Sequence, residues 1–402
     1  MREPYAVGAA VRAGRAELTL GVEEEFVLAD AATREVALVA DTVVGVAGRL
    51  AEDARQVVGE MALCQLETVS AVCADARQLY AEVSRLRRCA ARAAWESGCL
   101  LVAGGTAPLG TTGPPPILDK PRDHVIAARF GMLVEEQCAN ACHVHVGVPD
   151  PEEAVQVVNH LRPWTPLLLS LTANSPFWNG RDTGHASWRS VLWGRWPTAG
   201  PPPYFHSADH YEQVVSALVD SGAAVDPGML YWSVRPSRHV PTVEVRIADV
   251  LPGAGDTVAY ALLVRALVAA ALVEVRKGRP APPVEDVVLR AAVWRAARDG
   301  MSGDALTLAS AGPLRVVPAW HLAATLMRRV QGHLRAAGDF ETVRRWLVRL
   351  QRHGTGAARQ RAVYRRTERL EDVVDALAVR VPVRQGVDTG PADRACDTAR
   401  PT

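Results

Sequence analysis

The chain has 402 residues, of which 49% are hydrophobic, and its 45 Lys and Arg nearly balance its 44 Asp and Glu. This length and apolar content suffice for one large domain or about two to three ordinary ones, each with a core. The formal charge of +1 argues against a general nucleic-acid binder, because contacts with phosphates need a basic excess. Only Lys120 and Lys277 are lysines, so a site that needs an ammonium group must use one of these two residues.

Period-two alternation or short apolar runs predict strands over residues 18–28, 60–72, 99–103, 141–148 and 232–250. Helical periodicity and end signals predict helices over residues 42–58, from the N-cap Asp75 to Gly98, from Asp150 onward, and over 256–278 and much of 285–378. Because strands and helices mix without a regular βαβ alternation, we expect an α+β fold with an antiparallel sheet. No clean linker divides the chain, which predicts a single domain over residues 18–380. Its part from 285 to 380 is expected to be helical, and residues 383–402 to be a disordered tail.

Cysteine usage and the apolar segments predict a cytoplasmic protein. The seven cysteines are an odd number spread along the chain, which favours reduced thiols. The first twenty residues contain five charged side chains and no apolar core segment, so no secretory signal is predicted. Residues 258–275 form the longest apolar stretch, but Arg265 and Glu274 interrupt it. We therefore expect a buried helix there rather than a membrane span.

Two segments follow no regular period. Residues 106–116 are rich in Pro and Gly and are too long for an ordinary connector, which predicts either a functional or a disordered loop. Residues 174–206 contain four tryptophans and three arginines. These tryptophans could stack on a nucleotide base, shield a reactive group from water or pack as a loop onto the core, and the sequence leaves the three alternatives open.

Common catalytic motifs are absent from the sequence. Neither lysine lies in a P-loop, and no G-x-G-x-x-G follows a strand. The G-x-S-x-G, protein-kinase and H-E-x-x-H patterns are also missing. Cys138, Cys142, His143 and His145 could be drawn as a zinc site, but Cys142 would lie on the opposite strand face from His143. Buried free thiols are the favoured interpretation.

Four strand-like segments share one design, with an apolar face and an ionisable face. In the first, the period of two puts Glu23 and Glu25 on one face and Val22 and Phe26 on the other. The ionisable faces of the other three carry Gln65 with Glu67, His143 with His145, and Glu244 with Arg246. A polar face is ordinary for any one antiparallel strand, but these four together lack the Ser, Thr and Lys that usually fill solvated faces.

If the four strands lie in one sheet, their carboxylates repel one another unless cations neutralise them. Several carboxylates and one imidazole make a ligand set for Mg²⁺ or Mn²⁺, which prefer oxygen. Arginines nearby suit phosphate oxygens, which they bind bidentately. Metal ligands and arginines without a P-loop predict phosphoryl transfer by positioning and charge neutralisation.

Six sequence motifs follow one another along the chain. They are Gly21-Val-Glu-Glu-Glu-Phe, Gln65-Leu-Glu67, Gly104-Gly-Thr106, His143-Val-His-Val-Gly147, Asn174-Ser-Pro176 followed by Arg189, and Arg235-Pro-Ser followed by Thr242-Val-Glu-Val-Arg246. In this order, over residues 18–375, the sequence resembles the type 2 glutamate–cysteine ligase family. That family includes the bacterial carboxylate–amine ligases and belongs to the glutamine synthetase superfamily. The resemblance implies a glutamine-synthetase-like catalytic domain, with a curved antiparallel sheet, an active site on its concave face and helices on the other face.

The resemblance also implies an activity. ATP would phosphorylate a carboxylate of glutamate or a related amino acid, and an amine, from cysteine or another compound, would displace phosphate to form a γ-glutamyl-type amide. The implied cofactors are ATP and Mg²⁺ or Mn²⁺, the implied partners are these small molecules, and a homodimer is possible. Neither nucleic acid nor a membrane is an expected partner.

Residue roles follow from the resemblance position by position. The implied metal ligands are Glu23, Glu25, Glu67, His143 and Glu244, with Glu60 a further candidate. Arg235 and Arg246 would hold ATP phosphates and, together with Glu244, would form the catalytic set. The implied substrate-binding residues are Arg189 as a carboxylate clamp, Arg181 as its helper, and His145 and Gln65 lining the same face.

The sequence departs from the family pattern where the substrates would bind. Ala107 stands where many members carry a histidine, and residues 191–206 are rich in Trp and Pro. These departures leave the identity of the acid and of the amine open, because family membership indicates the reaction type better than the substrate. Two alternatives also stay open: a carboxylate or guanidino kinase of the same superfamily, and a non-catalytic regulator that binds nucleotide or amino acid.

Overall fold

The structure, a computed structural model, describes residues 18–50, 56–111, 113–136, 138–309 and 313–380, so the tail predicted at 383–402 lies outside the described residues. The strands are β1 Leu20–Asp30, β2 Val57–Gly59, β3 Gln65–Val69, β4 Cys99–Val102, β5 Ala141–Gly147, β6 Phe177–Trp178, β7 Arg181–Asp182, β8 Val234–Pro236, β9 Thr242–Asp249, β10 Asp304–Leu306 and β11 Val316–Pro318. The helices are α1 Ala40–Leu50, α2 Ala76–Glu96, α3 Pro121–Phe130, α4 Met132–Glu135, α5 Pro151–Leu161, α6 Thr165–Thr172, α7 Trp188–Trp193, α8 Ala208–Asp220, α9 Ala254–Arg276, α10 Asp286–Asp299, α11 Ala319–Ala336, α12 Phe340–His353, α13 Gly356–Thr367 and α14 Leu370–Leu377.

Seven strands form one open antiparallel sheet in the order β2-β3-β1-β5-β9-β8, and β4 pairs with the far end of β1. The register brings the predicted residues together. The directly opposed pairs are Glu25 with Glu67, Glu23 with His143, and Glu244 with both His145 and Arg235. Because directly opposed residues share a face of a sheet, the four ionisable faces join into one, called here the ionisable face. The predicted α+β fold with an antiparallel sheet is confirmed.

A register shift between β5 and β9 changes which residues reach this face. The pairing shifts by one residue between Cys142 and Val144, so β9 has one extra residue opposite His143. Such a bulge re-aims the side chains that follow it. As a result Asp249, which pairs with Ala141, lies on the same face as Glu244 although the two are an odd number of residues apart.

The opposite face of the sheet packs against helices. Its valines belong to the largest apolar cluster, which also contains residues of α5, α6 and α9; they are Val22, Val144, Val146, Val243 and Val245. Helix α9 is long and apolar enough to cross a bilayer, but 78% of its most apolar 18-residue window is buried inside the structure. It is a core helix of this cluster, as the charges within it predicted.

One charged residue of β1 points toward the helices. Glu24 is 2% exposed, and Arg87 of α2 donates to its two carboxylate oxygens over 2.6 and 2.8 Å. Thr257 of α9 donates to the same carboxylate over 2.6 Å. Arg87 also donates to the carbonyls of Leu251 and Pro252. Glu24, the middle of the three consecutive glutamates, therefore connects α2 and α9 to β1 and is not part of the ionisable face.

Apolar clusters cover the two ends of the ionisable face. At the β4 end, residues of α14 pack on Val27, Val102 and Phe177. At the other end, an aromatic cluster contains Phe130, Trp193, Trp196 and Tyr231 and packs with Met61, two residues after β2. The ionisable side chains lie between these two covers.

Most predicted elements are confirmed, and the differences concern short strands and three helices. Residues 57 and 58 were expected to be helical but belong to β2, because pairing of Val57 with Thr68 decides their conformation. The C-terminal part is not purely helical, since β10 and β11 form a hairpin of three-residue strands, too short to show a period of two. Residues 174–206 contain the hairpin β6–β7 and the short helix α7. Helix α3, which begins at Pro121, the short helix α4 and the 13-residue helix α8 were not predicted.

Candidate active site

Strands β1 and β5 hold glutamates against histidines in the middle of the ionisable face. Nδ1 of His143 lies 3.0 Å from Oε2 of Glu23, and Nε2 of the same ring lies 3.7 Å from Oε1 of Glu25. Nε2 of His145 lies 3.4 Å from Oε1 of Glu23, and its Nδ1 lies 2.9 Å from the hydroxyl of Thr242. His143 is 3% exposed, so its ring is fixed with one nitrogen toward each glutamate.

Strands β8 and β9 hold a glutamate between two arginines. Nε of Arg235 donates to Oε2 of Glu244 over 2.7 Å, and Arg246 donates to Oε1 of the same carboxylate. Burial alone would raise the pKa of Glu244, but the charges of Arg235 and Arg246 hold this pKa well below its usual value. Nη1 of Arg246 also lies 3.4 Å from Nδ1 of His143. The protein thus supplies its own counter-charges for this carboxylate.

Three further carboxylates are crowded together. Burial and the nearby charge of Glu60 raise the pKa of Glu25 to about 7. Burial and the charges of Glu23, Glu60 and Glu25 raise the pKa of Glu67 well above its usual value, and burial raises that of Glu60 as well. For Glu23, by contrast, burial alone would raise the pKa, but the charge of His145 and the hydrogen bond with His143 outweigh it and lower the pKa. Repulsion is therefore concentrated at Glu25, Glu60 and Glu67, where an added cation would relieve it most.

Two groups of three side chains bring possible metal-ligand atoms within 4.8 Å of one another. They are Glu25, Glu67 and His143, and Glu23, His143 and Glu244. In the second group, Glu244 already forms ion pairs with two arginines, Arg235 and Arg246. In the first group, no arginine or lysine of the described residues forms an ion pair with Glu25 or Glu67. Both groups offer two carboxylates and an imidazole, which fit Mg²⁺ or Mn²⁺. The first group fits such an ion better, because its carboxylates are not already neutralised by arginines of the described chain.

Arg189 is buried behind the bulge of β9. Its guanidinium donates to the carbonyls of Arg246 and Ile247 over 3.2 and 3.3 Å and lies 3.9 Å from Asp249. Asp249 is fully buried and accepts three hydrogen bonds, from the backbone N–H of Asn174 over 2.8 Å and from the hydroxyls of Ser175 and Ser187 over 2.6 and 2.8 Å. Sequence reasoning missed Asp249, because a bulge leaves no mark in the hydrophobic pattern.

Two predicted substrate-binding residues lie apart from this arrangement. Gln65 shares the face of Glu67, but it is 1% exposed and its amide donates to the carbonyl of Ala139 and the side chain of Asn140. Arg181 is exposed on the hairpin β6–β7, where it pairs with Trp178 and not with another predicted site residue. Their roles in substrate binding stay predictions.

The tryptophans of residues 174–206 do not all have the same surroundings. The rings of Trp193 and Trp196 lie 4.7 and 5.5 Å from that of Tyr231, and Trp196 is 3% exposed. Trp193 is half-buried, and the guanidinium carbon of Arg189 lies 5.9 Å from its ring centre. Packing onto the core therefore describes Trp196, while Trp193 borders the ionisable face.

The cysteines do not support the zinc alternative. The Sγ atom of Cys138 lies 3.6 Å from that of Cys64, and Cys142 is buried in the apolar cluster on the helical side of the sheet. The six cysteines among the described residues are free thiols. Buried free thiols, the favoured interpretation, agree with this arrangement.

Known proteins that are similar to this chain match most of its length. The model of glutamate-cysteine ligase family 2 matches residues 19–396. A candidate glutamate–cysteine ligase 2-1 of Saccharopolyspora erythraea is 47% identical, covering 90% of this chain and 94% of that protein. A candidate glutamate–cysteine ligase 2-2 of Mycobacterium sp. strain KMS is 46% identical, covering 90% and 97%. Among solved structures, the glutamate–cysteine ligase of Francisella tularensis in complex with AMP has a similar fold, with a TM-score of 0.69 at 12% identity, covering 90% of this chain and 88% of that one.

Proposed function

This chain belongs to glutamate-cysteine ligase family 2, and from that premise we propose that it joins the carboxylate of glutamate or a related amino acid to an amine through an acyl phosphate. The chain is an ATP-dependent ligase of the carboxylate–amine type. One observation carries the finer proposal: the crowded carboxylates Glu25 and Glu67 share a sheet face with Arg235 and Arg246. This pairing of a cation site with phosphate-binding groups suits phosphoryl transfer.

We propose that Glu25, Glu67 and Nε2 of His143 hold Mg²⁺ or Mn²⁺, with Glu60 nearby. The ion, when bound, would neutralise charge on the ATP phosphates. Glu23 would then act as the partner that fixes the ring of His143 through Nδ1, because metal-binding imidazoles usually use their second nitrogen in this way. The group of Glu23, His143 and Glu244 is the second candidate metal site. A metal ion there would have to replace one of the arginines that pair with Glu244.

The arginines support the transfer step. Arg235 and Arg246 present guanidinium groups, which bind phosphate oxygens bidentately and stabilise charge that develops on them. As an oxygen of the substrate carboxylate bonds to the γ-phosphorus, the bond from that phosphorus to ADP breaks, and an acyl phosphate results. The amine then attacks the acyl carbon. Phosphate leaves with the electrons of the carbon–oxygen bond, and the nitrogen loses one proton.

We propose Arg189 as the residue that binds a carboxylate of the acid substrate. The position of Arg189 supports this role, because its buried guanidinium contacts Arg246 and so lies next to the proposed phosphate-binding groups. Arg181 lies on the exposed hairpin and would help only if the substrate reaches that far. His145 lies beside this site, since its Nε2 atom is 3.4 Å from Glu23 and 4.0 Å from Glu244. Glutamate as the acid and cysteine as the amine are the first compounds to test.

We further propose that residues 18–380 act as one catalytic domain, in the cytoplasm and as a homodimer. The buried position of α9, the free thiols and the near-zero charge support a cytoplasmic enzyme without nucleic-acid or membrane partners. Light scattering coupled to size-exclusion chromatography measures the oligomeric state.

Metal binding is expected to depend on pH through the crowded carboxylates. The pKa of Glu25 is raised from its usual 4.5 to about 7, so its neutral form is favoured by folding. The stability that this contributes is present below pH 4.5 and is lost as the pH rises through 7. We expect the melting temperature of the metal-free protein to fall by a few degrees between pH 5 and 8. Mg²⁺ should offset the fall at pH 8 and do little at pH 5, with calorimetric scans as the measurement.

A matched pair of variants separates this effect from general ion effects. Glu67→Gln removes one of the crowded carboxylates, so the Mg²⁺ stabilisation at pH 8 should shrink. Glu96→Gln changes an exposed carboxylate that pairs with Arg92 on the surface of α2, and it should keep the full Mg²⁺ effect. Equal Mg²⁺ stabilisation in both variants would argue against the metal site.

The reaction itself is tested by measuring ADP and phosphate release with Mg²⁺, ATP and a panel of amino-acid carboxylates, each with and without cysteine or other amines. Release that requires one acid and one amine together supports the proposed ligase and identifies its substrates. ADP release with the acid alone favours a kinase, or an acyl phosphate that reacts with water. Nucleotide binding without turnover across the panel favours a regulator.

A further inference from the structure

One serine on the ionisable face has a fixed position but no role in the activity proposed above. Ser233 directly precedes β8, and its carbonyl accepts a hydrogen bond from the backbone N–H of Arg246 over 2.8 Å. Its own N–H donates to the carbonyl of Gly200 over 2.8 Å. Arg235, two residues later, pairs with Glu244, so the period of two places Ser233 opposite Arg246 on the same face.

The hydroxyl of Ser233 is buried without a partner. The residue is 4% exposed, and Oγ forms no hydrogen bond with any residue in the part of the chain that the structure describes. Buried hydroxyls are nearly always paired, because leaving one unpaired costs stability. Ser175 and Ser187 follow this rule, since both donate to Asp249. The hydroxyl of Ser233 therefore calls for an explanation.

Two more buried donors next to Ser233 have the same property. Nε of Arg246 and Nε of Arg189 also lack a partner among the described residues. Arg189 donates to the carbonyl of Arg246, and Arg246 lies opposite Ser233, so the three residues are neighbours in succession. Glu244 is the carboxylate beside them, and its two oxygens already accept from Arg235 and Arg246.

The chemistry of these atoms limits what can satisfy them. A guanidinium Nε–H only donates, and a serine hydroxyl can donate as well, so the missing partner must offer acceptor oxygens. Two fixed positive charges further select an anion. We infer that Ser233 is a ligand-binding residue whose hydroxyl donates to a carboxylate or phosphoryl oxygen that Arg189 and Arg246 also bind. The inference deepens the proposed function and rests on it, because that reaction supplies both kinds of anion.

The three unpaired atoms are enclosed by protein. None of the three unpaired atoms is open to solvent, so a ligand reaches them only after neighbouring side chains move. Trp193 is half-buried and lies over the guanidinium of Arg189.

The test uses Ser233→Ala in the full chain, with two controls. Ser187→Ala removes a buried hydroxyl that is fully used within the protein, and Ser221→Ala removes an exposed hydroxyl at the end of α8. Without ligand, Ser233→Ala should not lower the melting temperature, because no internal hydrogen bond is lost, whereas Ser187→Ala should lower it. Calorimetric titration then measures binding of Mg²⁺ with a non-hydrolysable ATP analogue, and separately of L-glutamate.

We expect Ser233→Ala to weaken one of these two ligands about tenfold, as loss of a hydrogen bond to a charged group does, and Ser221→Ala to weaken neither. Loss for the nucleotide alone identifies a phosphoryl oxygen, and loss for glutamate alone identifies a carboxylate. Unchanged affinity for both, or a melting temperature lowered as far as in Ser187→Ala, overturns the inference. If the wild type binds neither ligand, the proposed function fails by itself. Inorganic phosphate then decides the inference, because its stabilising effect must be smaller in Ser233→Ala than in the wild type.

Discussion

Glu25→Gln is expected to remove nearly all ligase turnover while the protein stays folded. One oxygen of the Glu25 carboxylate lies 3.7 Å from Nε2 of His143, and the other accepts the backbone N–H of Ala141 over 2.6 Å. Glutamine keeps the size and an acceptor for Ala141 but removes the anionic ligand. Loss of an outer partner of a metal site already costs about 10–100-fold. Loss of a direct ligand should therefore lower kcat/KM at least about a hundredfold.

The stability of the same variant separates a metal ligand from a structural residue. In the metal-free protein the ionised form of Glu25 is disfavoured, since burial and Glu60 raise its pKa to about 7. Glutamine, which carries no charge, should leave the melting temperature at pH 8 equal to or above that of the wild type. Added Mg²⁺ should stabilise the variant less than it stabilises the wild type.

Glu35→Gln is the matched control, because Glu35 is an exposed carboxylate shortly after β1. It should keep the turnover, the melting temperature and the Mg²⁺ effect of the wild type. Turnover is measured as ADP and phosphate release with the acid and amine identified by the substrate panel. A Glu25→Gln enzyme with wild-type kcat/KM would remove Glu25 from the metal site.

Much of the ionisable face could be predicted because strand side chains alternate. The period of two assigns Glu23, Glu25, Glu67 and His143 to their faces without knowledge of which strands pair. The structure adds the register that brings Glu25 opposite Glu67 and Glu23 opposite His143. Element types were predictable for the same reason wherever the pattern was long, as in β1 and α9.

What the sequence could not predict depends on contacts between distant residues. Asp249 joins the face only because of the bulge opposite His143, and a bulge has no periodic signature. Gln65 lies on the predicted face, yet its amide is used by Ala139 and Asn140, which the pattern cannot show. The unpaired hydroxyl of Ser233 is visible only once every neighbour is placed.

The ion pair between Glu24 and Arg87 also joins residues that are distant in the sequence, so the pattern could not predict it. Breaking this pair is expected to have the largest effect on stability. Arg87→Ala should lower the free energy of unfolding by about 3–5 kcal/mol, because it leaves the carboxylate of Glu24 buried without its counter-charge. Glu24 and Arg87 are 2% and 4% exposed, and two hydrogen bonds of 2.6 and 2.8 Å join them. Denaturant titration measures the loss. Arg88→Ala, at the exposed neighbouring position of α2, should cost far less.

A double variant tests whether the cost comes from the unpaired charge. Replacing both partners, with Glu24→Leu and Arg87→Met, removes the two charges together, and apolar replacement of a buried ion pair is often neutral or stabilising. The double variant should therefore recover most of the stability lost in Arg87→Ala. Its kcat/KM should stay near the wild-type value, because the pair lies on the helical side of β1. If Arg87→Ala instead cost no more than Arg88→Ala, the pair would not fasten the helices. Adjacent glutamates thus have separable roles: changing Glu25 removes activity and spares the fold, and unpairing Glu24 does the reverse.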